Sequence, residues 1–407
     1  MTPAEIAARF GTPAYVYDLD AVTAAHADLR SALPDPSVLY YSLKANPHPA
    51  VIGELARLGC RAEVSSDGEV DAALAAGVRP DAVMLTGPGK SGRVIDHALR
   101  RGVTRFSVDS PTDLRRVGDH AERHGVRTSC LLRVNADEAA AGSGLTMTGT
   151  ASQFGADAGW VAARPEEFRG HKTATVTGLH LYMGSNLMDE DALAHQLEMA
   201  IDLAARMIGH LGDLEEVDLG GGFGAPYAHR GARPRFPGLA DRLTRVLDDR
   251  LPGWRGGAPL IAFESGRHLV ADSGLLLAGV VDVKRSKGET FVVLDCGVNH
   301  LGGMSGLRRL PRVAPDVVGG DAADVVTATL VGPLCTPLDT LGRDVRVPRV
   351  SPGDLLVVPN VGAYGLTASL LAFLGHTPPA EVVLRGGEVF DVTRLTLTRT
   401  STSVHSG

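Results

Sequence analysis

The sequence predicts an α/β chain: a closed (β/α)8 barrel of the TIM type, followed by a C-terminal all-β domain. Three observations lead there. Eight short apolar runs alternate with helix-patterned segments from Val38 to Ser265, the count and size of a closed parallel barrel. After about Val270 the helical period fades and β-like runs follow one another between Gly, Pro and Asp turns. The 407 residues are enough for two domains. A doubly wound open sheet is the alternative, and it more often has five or six strands.

Taken in order, Thr12–Tyr17 reads as a strand and Asp18 as the N-cap of a helix to about Ala32. The eight runs are Val38–Ser42, Cys60–Ser65, Ala82–Thr86, Thr104–Asp109, Thr128–Val134, Thr175–Tyr182, Glu216–Leu219 and Leu260–Ser265. Helical segments lie between them at Ala50–Leu58, Asp67–Ala76, Ser91–Arg101, Pro111–His124, Asp189–Leu211 and Gly238–Asp249. Ser91, Ser110-Pro111 and Asp189 are good start signals. Ala139–Thr150 mixes Gly, Ala, Ser and Thr without a period. It reads as a mobile loop at the barrel mouth or as a plain surface insertion. The β-like runs are Leu275–Val283, Thr290–Leu294, Val325–Val331, Asp354–Val358, Glu381–Leu384 and Val389–Thr398, with a short helix around Leu366–Phe373 and a frayed tail at His405 to Gly407. The expected domains are residues 30–270 for the barrel and 1–29 with 271–407 for the β domain, which the Tyr15–Tyr17 strand joins.

Composition removes several classes of function. The chain is 44% hydrophobic and 21% charged, an ordinary globular balance. A net charge of −7 argues against a nucleic-acid partner. No apolar run reaches the roughly 18 residues that span a membrane, and the N-terminus lacks the pattern of a signal peptide. Four cysteines without CxxC spacing suggest reduced thiols in a cytoplasm, with no metal site.

Chemistry-bearing residues fall at the strand ends. Lys44 follows the first barrel strand, in Tyr40-Tyr41-Ser42-Leu43-Lys44-Ala45-Asn46-Pro47. Groups at that end of a barrel line the active site, and a lysine near apolar walls can attack a carbonyl. The alternative is a surface lysine in a loop. Gly220, Gly221 and Gly222 follow the seventh strand, where barrels commonly bind phosphate and where bare backbone N–H groups can approach an anion. A tight turn is the other reading. Ser185 and Arg267 would add a hydroxyl and a charge. Glu264 ends the eighth strand and could hold a proton on a pyridine nitrogen, or pair with Arg267. A phosphate site, a lysine and a buried carboxylate together suggest pyridoxal phosphate.

On these motifs the chain resembles, over essentially its full length, the fold-type III pyridoxal-phosphate decarboxylases, the family of diaminopimelate, ornithine and arginine decarboxylases. The resemblance implies that Lys44 carries the cofactor covalently. It also places Gly220, Gly221 and Gly222 on the phosphate, Glu264 on the pyridine nitrogen and Arg267 in the same E-x-G-R motif, at cofactor and substrate. Glu63 lies close to the lysine, and Tyr364, from Gly362-Ala363-Tyr364, is near the phosphate. Cys335 and Asp339, in Cys335-Thr336-Pro337-Leu338-Asp339, reach a neighbouring subunit's site in the family. The implied assembly is a homodimer with shared active sites, and Cys335 is the implied acid that protonates Cα.

Two departures narrow the substrate. Relatives usually stack a histidine on the ring in H-x-G-S; here Tyr182 stands in Tyr182-Met183-Gly184-Ser185. Relatives carry Glu or Asp after the cysteine to bind the far amino group, whereas Thr336 is neutral. Val298-Asn299-His300 also lacks the Arg-Pro and Tyr of diaminopimelate enzymes. With Gln153-Phe154-Gly155, Pro226-Tyr227 and Cys335-Thr336-Pro337, the chain is similar to a branch that decarboxylates aspartyl, methylaspartyl or glutamyl thioesters on an acyl carrier protein in antibiotic assembly. Lys284, Arg285 and Lys287, or Arg308, Arg309 and Arg312, would dock that acidic partner, or are solvated charge. The alternatives are decarboxylation of free diaminopimelate, lysine or ornithine, an amino-acid racemase, and a non-catalytic pyridoxal-binding protein. Glu264 opposes the racemase, whose relatives place arginine at the ring nitrogen. The presence of Lys44 and Cys335 opposes the last.

Overall fold

The computed structural model describes residues 1–136, 145–146, 151–302, 316–317 and 324–400. The chain divides into two compact units, Ala21–Pro226 with Gly231–Asp272, and Met1–Asp20 with Tyr227–Arg230 and Ser273–Gly407.

The first unit is the barrel. Its strands are Val38–Ser42, Arg61–Val64, Val83–Leu85, Arg105–Val108, Thr128–Asn135, Ala174–Leu181, Glu216–Asp218 and Leu260–Ser265. Each pairs in parallel with the next, and the eighth pairs with the first, so the sheet closes. That last pairing excludes the open sheet. The outer helices start where the sequence signals lie: Ser91, Ser110 and Asp189 accept the N–H groups of Val94, Asp113 and Ala192, filling donors that a helix start leaves unpaired. A short helix, Ala158–Ala163, was not expected. Six residues give too little pattern to separate from a loop. Most of the expected loop Ala139–Thr150 lies outside the described residues. Leu145–Thr146 form a strand antiparallel to Gly184–Ser185.

The two ends of the barrel differ in chemistry. Near the strand starts, the Tyr40 hydroxyl donates to Glu216 Oε1 at 3.0 Å, and Arg61 and Arg105 pair with the same carboxylate. Tyr40 also packs with Met84, Leu131 and Ala262 inside the barrel. This plug closes one end and leaves the polar groups at the strand ends for chemistry. Among the described residues no helix is long and apolar enough to cross a membrane.

Among its described residues the second unit is all-β apart from short helical turns and one helix, Pro3–Phe10, which the sequence reading missed. Thr2 caps it with a reciprocal Glu5 bond. Ala14–Asp18 joins this unit as expected, between Gly274–Ser286 and Ala380–Arg385. Its core gathers Ile6, Ala14, Val16, Leu277, Val357, Ala380, Val382 and Leu384. Thr340–Pro348 is a further strand that escaped notice. Arg343, Asp344 and Arg346 hide its apolar alternation, and Asp344 has a positive φ of 53° where the pairing slips. The helix expected around Leu366–Phe373 is replaced by 3-10 turns at Leu366–Ala368 and Phe373–Gly375, with Leu370 and Leu374 facing solvent. The tail from His405 and the arginines at 308, 309 and 312 lie outside the described residues.

Candidate active site

Lys44 sits in a 3-10 turn, Leu43–Ala45, directly after the first barrel strand. Its ammonium lies 3.0 Å from Glu63 Oε2 and 3.3 Å from Oε1. Register makes the pair: Ser42 stands opposite Glu63 on the neighbouring strand. The Lys44 side chain is 42% exposed and that of Glu63 only 3%, so an accessible amine is held by a buried acid. Burial pushes the Glu63 carboxyl up. The Lys44 charge and hydrogen bonds from Thr86, Ser42 and Lys44 outweigh it and bring it to about 2. Thr86 donates to Glu63 Oε1 at 2.5 Å.

Beside this pair lies a layer of rings and cations. The Tyr182 centroid is 6.0 Å from Lys44 Nζ and 5.9 Å from Arg133 Cζ. Arg133 also sits 4.7 Å over Phe154, inside the range of cation–π attraction. Phe154 is steadied by its neighbour, for Gly155 N–H donates to Asp109 Oδ1 at 2.7 Å. Sequence reasoning named Phe154 but missed Arg133. The signal was its place near the end of the fifth strand.

After the seventh strand the glycine turn is pinned by its carbonyls. Gln196 donates to Gly221 O at 3.1 Å, Leu187 N–H to Gly222 O at 2.8 Å and His268 contacts Gly224 O at 2.9 Å. Gly220 and Gly222 have φ of 72° and 115°. A Cβ at Gly220 would strike the Leu181 carbonyl, and one at Gly221 the Glu264 carbonyl, so only glycine passes here. Among the described residues neither the Gly221 nor the Gly222 amide donates to protein. Two adjacent donors at a barrel strand end, held by bonds on their carbonyl side, are a cradle for an anion. Ser185 lies in the two-residue strand Gly184–Ser185. Arg267 opens a four-residue helical turn directly after the eighth strand.

Glu264 ends that strand and is 2% exposed. His180 Nε2 lies 3.2 Å from Glu264 Oε1, out of line for a hydrogen bond, and both atoms are without one. Asp218 completes the cluster; burial first, then the Glu264 charge, hold its carboxyl well above the usual range. In the sequence His180 and Asp218 lie within the runs Thr175–Tyr182 and Glu216–Leu219, and neither was given a part. Their strand-end positions were the available sign.

Cys335, Thr336, Asp339 and Tyr364 belong to the second unit. The Cys335 thiol is free and its residue exposed. Thr336 Oγ1 accepts from Leu338 N–H at 3.3 Å. Asp339 is buried, and its two oxygens accept the N–H groups of Val298 at 2.7 Å and Leu334 at 2.8 Å. It braces the turn that carries Cys335. Tyr364 has a positive φ of 52°, and its carbonyl accepts the Tyr227 hydroxyl at 2.9 Å.

The donors fit pyridoxal phosphate part by part: an amine for an aldehyde, a backbone cradle for a phosphate, a buried unpaired carboxylate oxygen for a ring nitrogen. Fold and site thus define a barrel enzyme that carries this cofactor. Residues 19–271 match the family described as pyridoxal-dependent decarboxylase, pyridoxal binding domain, and the chain belongs to that family. It is a pyridoxal-phosphate-dependent amino-acid decarboxylase. It is 33% identical over 390 residues, 93% of this chain and 90% of the relative, to the Niallia circulans decarboxylase of the L-glutamyl group on the BtrI acyl-carrier protein. It is also 33% identical over 399 residues, 96% and 91% of the two chains, to the diaminopimelate decarboxylase of Pseudomonas aeruginosa. The crystal structure of diaminopimelate decarboxylase from Helicobacter pylori complexed with L-lysine has a TM-score of 0.83 at 26% identity, covering 97% and 96% of the chains.

Proposed function

We propose that the enzyme removes the α-carboxylate of an aspartyl, methylaspartyl or glutamyl group carried as a thioester on an acyl carrier protein. The observation that carries this reading is the turn Cys335–Asp339. Thr336 is neutral, and both oxygens of Asp339 are taken by backbone N–H groups. That turn therefore has no free carboxylate for a distal ammonium, forgoing about 1.5–3 kcal/mol of charge-assisted bonding. A thioester asks for no such partner. The Niallia circulans relative supports the same direction.

In this reading Lys44 would hold the cofactor aldehyde, with the ionised Glu63 carboxylate orienting its nitrogen from 3.0 Å. Gly220, Gly221, Gly222, Ser185 and Arg267 would hold the phosphate, Tyr182 would pack against the ring, and Glu264 would meet the ring nitrogen. Bound there, pyridoxal phosphate supplies an electron sink for the pair that CO₂ leaves behind. Cys335 Sγ delivers a proton to Cα, and Arg267 and Thr336 shape the substrate end, with Asp339 acting only through the turn it braces. The cysteine comes from a second copy of the chain in a homodimer with shared sites. Exposed Leu338, Leu370, Phe373 and Leu374 support such an interface. The exposed hairpin turn at Lys284, Arg285 and Lys287 is the proposed docking point for the acidic carrier.

Diaminopimelate decarboxylase relatives keep a free diamino acid as the second reading. Incubation with free diaminopimelate, lysine, ornithine and arginine, then with aspartyl- and glutamyl-loaded carrier protein, separates them. The proposal expects CO₂ only from the loaded carrier. Turnover of a free diamino acid at ordinary enzyme rates would end it.

A further inference from the structure

Three buried side chains meet at the ends of the sixth, seventh and eighth barrel strands: His180, Asp218 and Glu264, each with one ligand atom within 4.8 Å of those of the others. Among the described residues His180 Nε2, Asp218 Oδ2 and Glu264 Oε1 have no hydrogen-bond partner. Buried polar groups are almost always satisfied, so three unsatisfied atoms at one point mark a place where their partner comes from outside.

The His180 ring is not free to turn. Its Nδ1 lies 2.7 Å from Ser107 Oγ, on the fourth strand. A hydroxyl can donate to that nitrogen, which places the ring proton on Nε2. There it faces Glu264 Oε1 at 3.2 Å. A carboxylate on that side favours the same tautomer. Ser107, His180 and Glu264 then form a chain of contacts across three strands, all buried.

We propose that His180 is a positioning residue: held by Ser107, it fixes the Glu264 carboxylate and thereby sets how firmly the enzyme grips the cofactor's pyridine nitrogen. This rests on the assignment of Glu264 to that nitrogen made above. Asp218 supports the arrangement. Its Oδ1 accepts Gly220 N–H at 2.8 Å, which ties the cluster to the glycine turn. Burial and the charge of Glu264 push the Asp218 carboxyl well above the usual range. A shift of the histidine ring would remove the nearest side-chain contact of Glu264 Oε1, which accepts no hydrogen bond among the described residues.

The test is equilibrium binding by the full-length protein of two probes, pyridoxal phosphate and its deaza analogue, in which carbon replaces the ring nitrogen. Both share the aldehyde and the phosphate, so only the nitrogen contact differs. His180→Leu is expected to weaken pyridoxal phosphate at least about tenfold and the deaza analogue by less than about twofold. His180→Gln keeps an N–H donor and recovers most of the loss. The pH at which bound cofactor changes colour moves in His180→Leu and returns in His180→Gln. Equal weakening of both probes by His180→Leu would mean a merely structural role and overturn the proposal. Should that variant fail to fold, Ser107→Ala removes one hydroxyl and must discriminate the probes in the same direction; an equal effect on both overturns the proposal as well. Glu264→Gln separates the two levels. If it discriminates the probes and His180→Leu does not, the positioning role alone falls. If Glu264→Gln fails to discriminate, the assignment of Glu264 falls, and this inference with it.

Discussion

Lys44 Nζ and Glu63 Oε2 stand 3.0 Å apart, one at the mouth of the barrel and the other beneath it. The pair exists because strand register sets Glu63 opposite Ser42 and the 3-10 turn brings Lys44 back over that carboxylate. A folded carboxyl brought to about 2 from an ordinary 4.5 favours the charged form in the native state. Its contribution to stability is therefore complete above about pH 4.5 and is lost as pH falls toward 2. Glu63→Gln is expected to cost about 1–3 kcal/mol at pH 7 by leaving Thr86, Ser42 and Lys44 a poorer acceptor. Denaturant titrations at pH 7 and pH 3.5 check this: the gap between variant and wild type narrows at the lower pH.

Glu381 titrates with the opposite sign. It lies on Ala380–Arg385, where burial raises it to about 7 against a hydrogen bond from Tyr17 that lowers it. The native state favours its protonated form. The stability that form gives is whole below about pH 4.5 and fades as pH rises through 7. Glu381→Gln keeps an acceptor for Tyr17 and removes the charge. It is expected to raise Tm at pH 8 by roughly 2–4 °C and to change little at pH 5, as scanning calorimetry would record.

The glycine turn has no tolerance for a methyl group. Gly221→Ala would drive its Cβ into the Glu264 carbonyl, at a cost of about 1–3 kcal/mol from the forced backbone shift. The amides that face the anion move with it. Fluorescence titration is expected to show weaker binding of both pyridoxal phosphate and inorganic phosphate.

Thr336 offers a gain rather than a loss. Thr336→Glu adds a carboxylate to a turn where Asp339 is already committed. It is expected to lower Kd for free lysine or diaminopimelate by about tenfold while slowing turnover of carrier-bound substrate. An unchanged Kd for both free amino acids would mean that the far end of the substrate does not meet this turn.

Much of the fold was legible because barrel strands are short, buried and bounded by turn residues. All eight were found, and Ser91, Ser110 and Asp189 marked their helices. Lys44 and the glycine turn stood out because their residue types are unusual at strand ends. His180 and Arg133 did not. A histidine or arginine near a strand end has many uses, and only closure of the barrel brings one to Glu264 and the other over Tyr182 and Phe154. The brace at Asp339 was equally hidden, because its partners are backbone amides of two separate turns. Thr340–Pro348 failed as a pattern because charge occupies its exposed face.

The most direct measurement of the central claim is borohydride reduction of protein mixed with pyridoxal phosphate, followed by mass mapping of the peptides. The account expects wild-type protein to carry the reduced cofactor on the peptide that contains Lys44, and Lys44→Ala to carry none and lose its absorbance near the visible edge. Label on another lysine in wild type, or an unchanged band in Lys44→Ala, would contradict it.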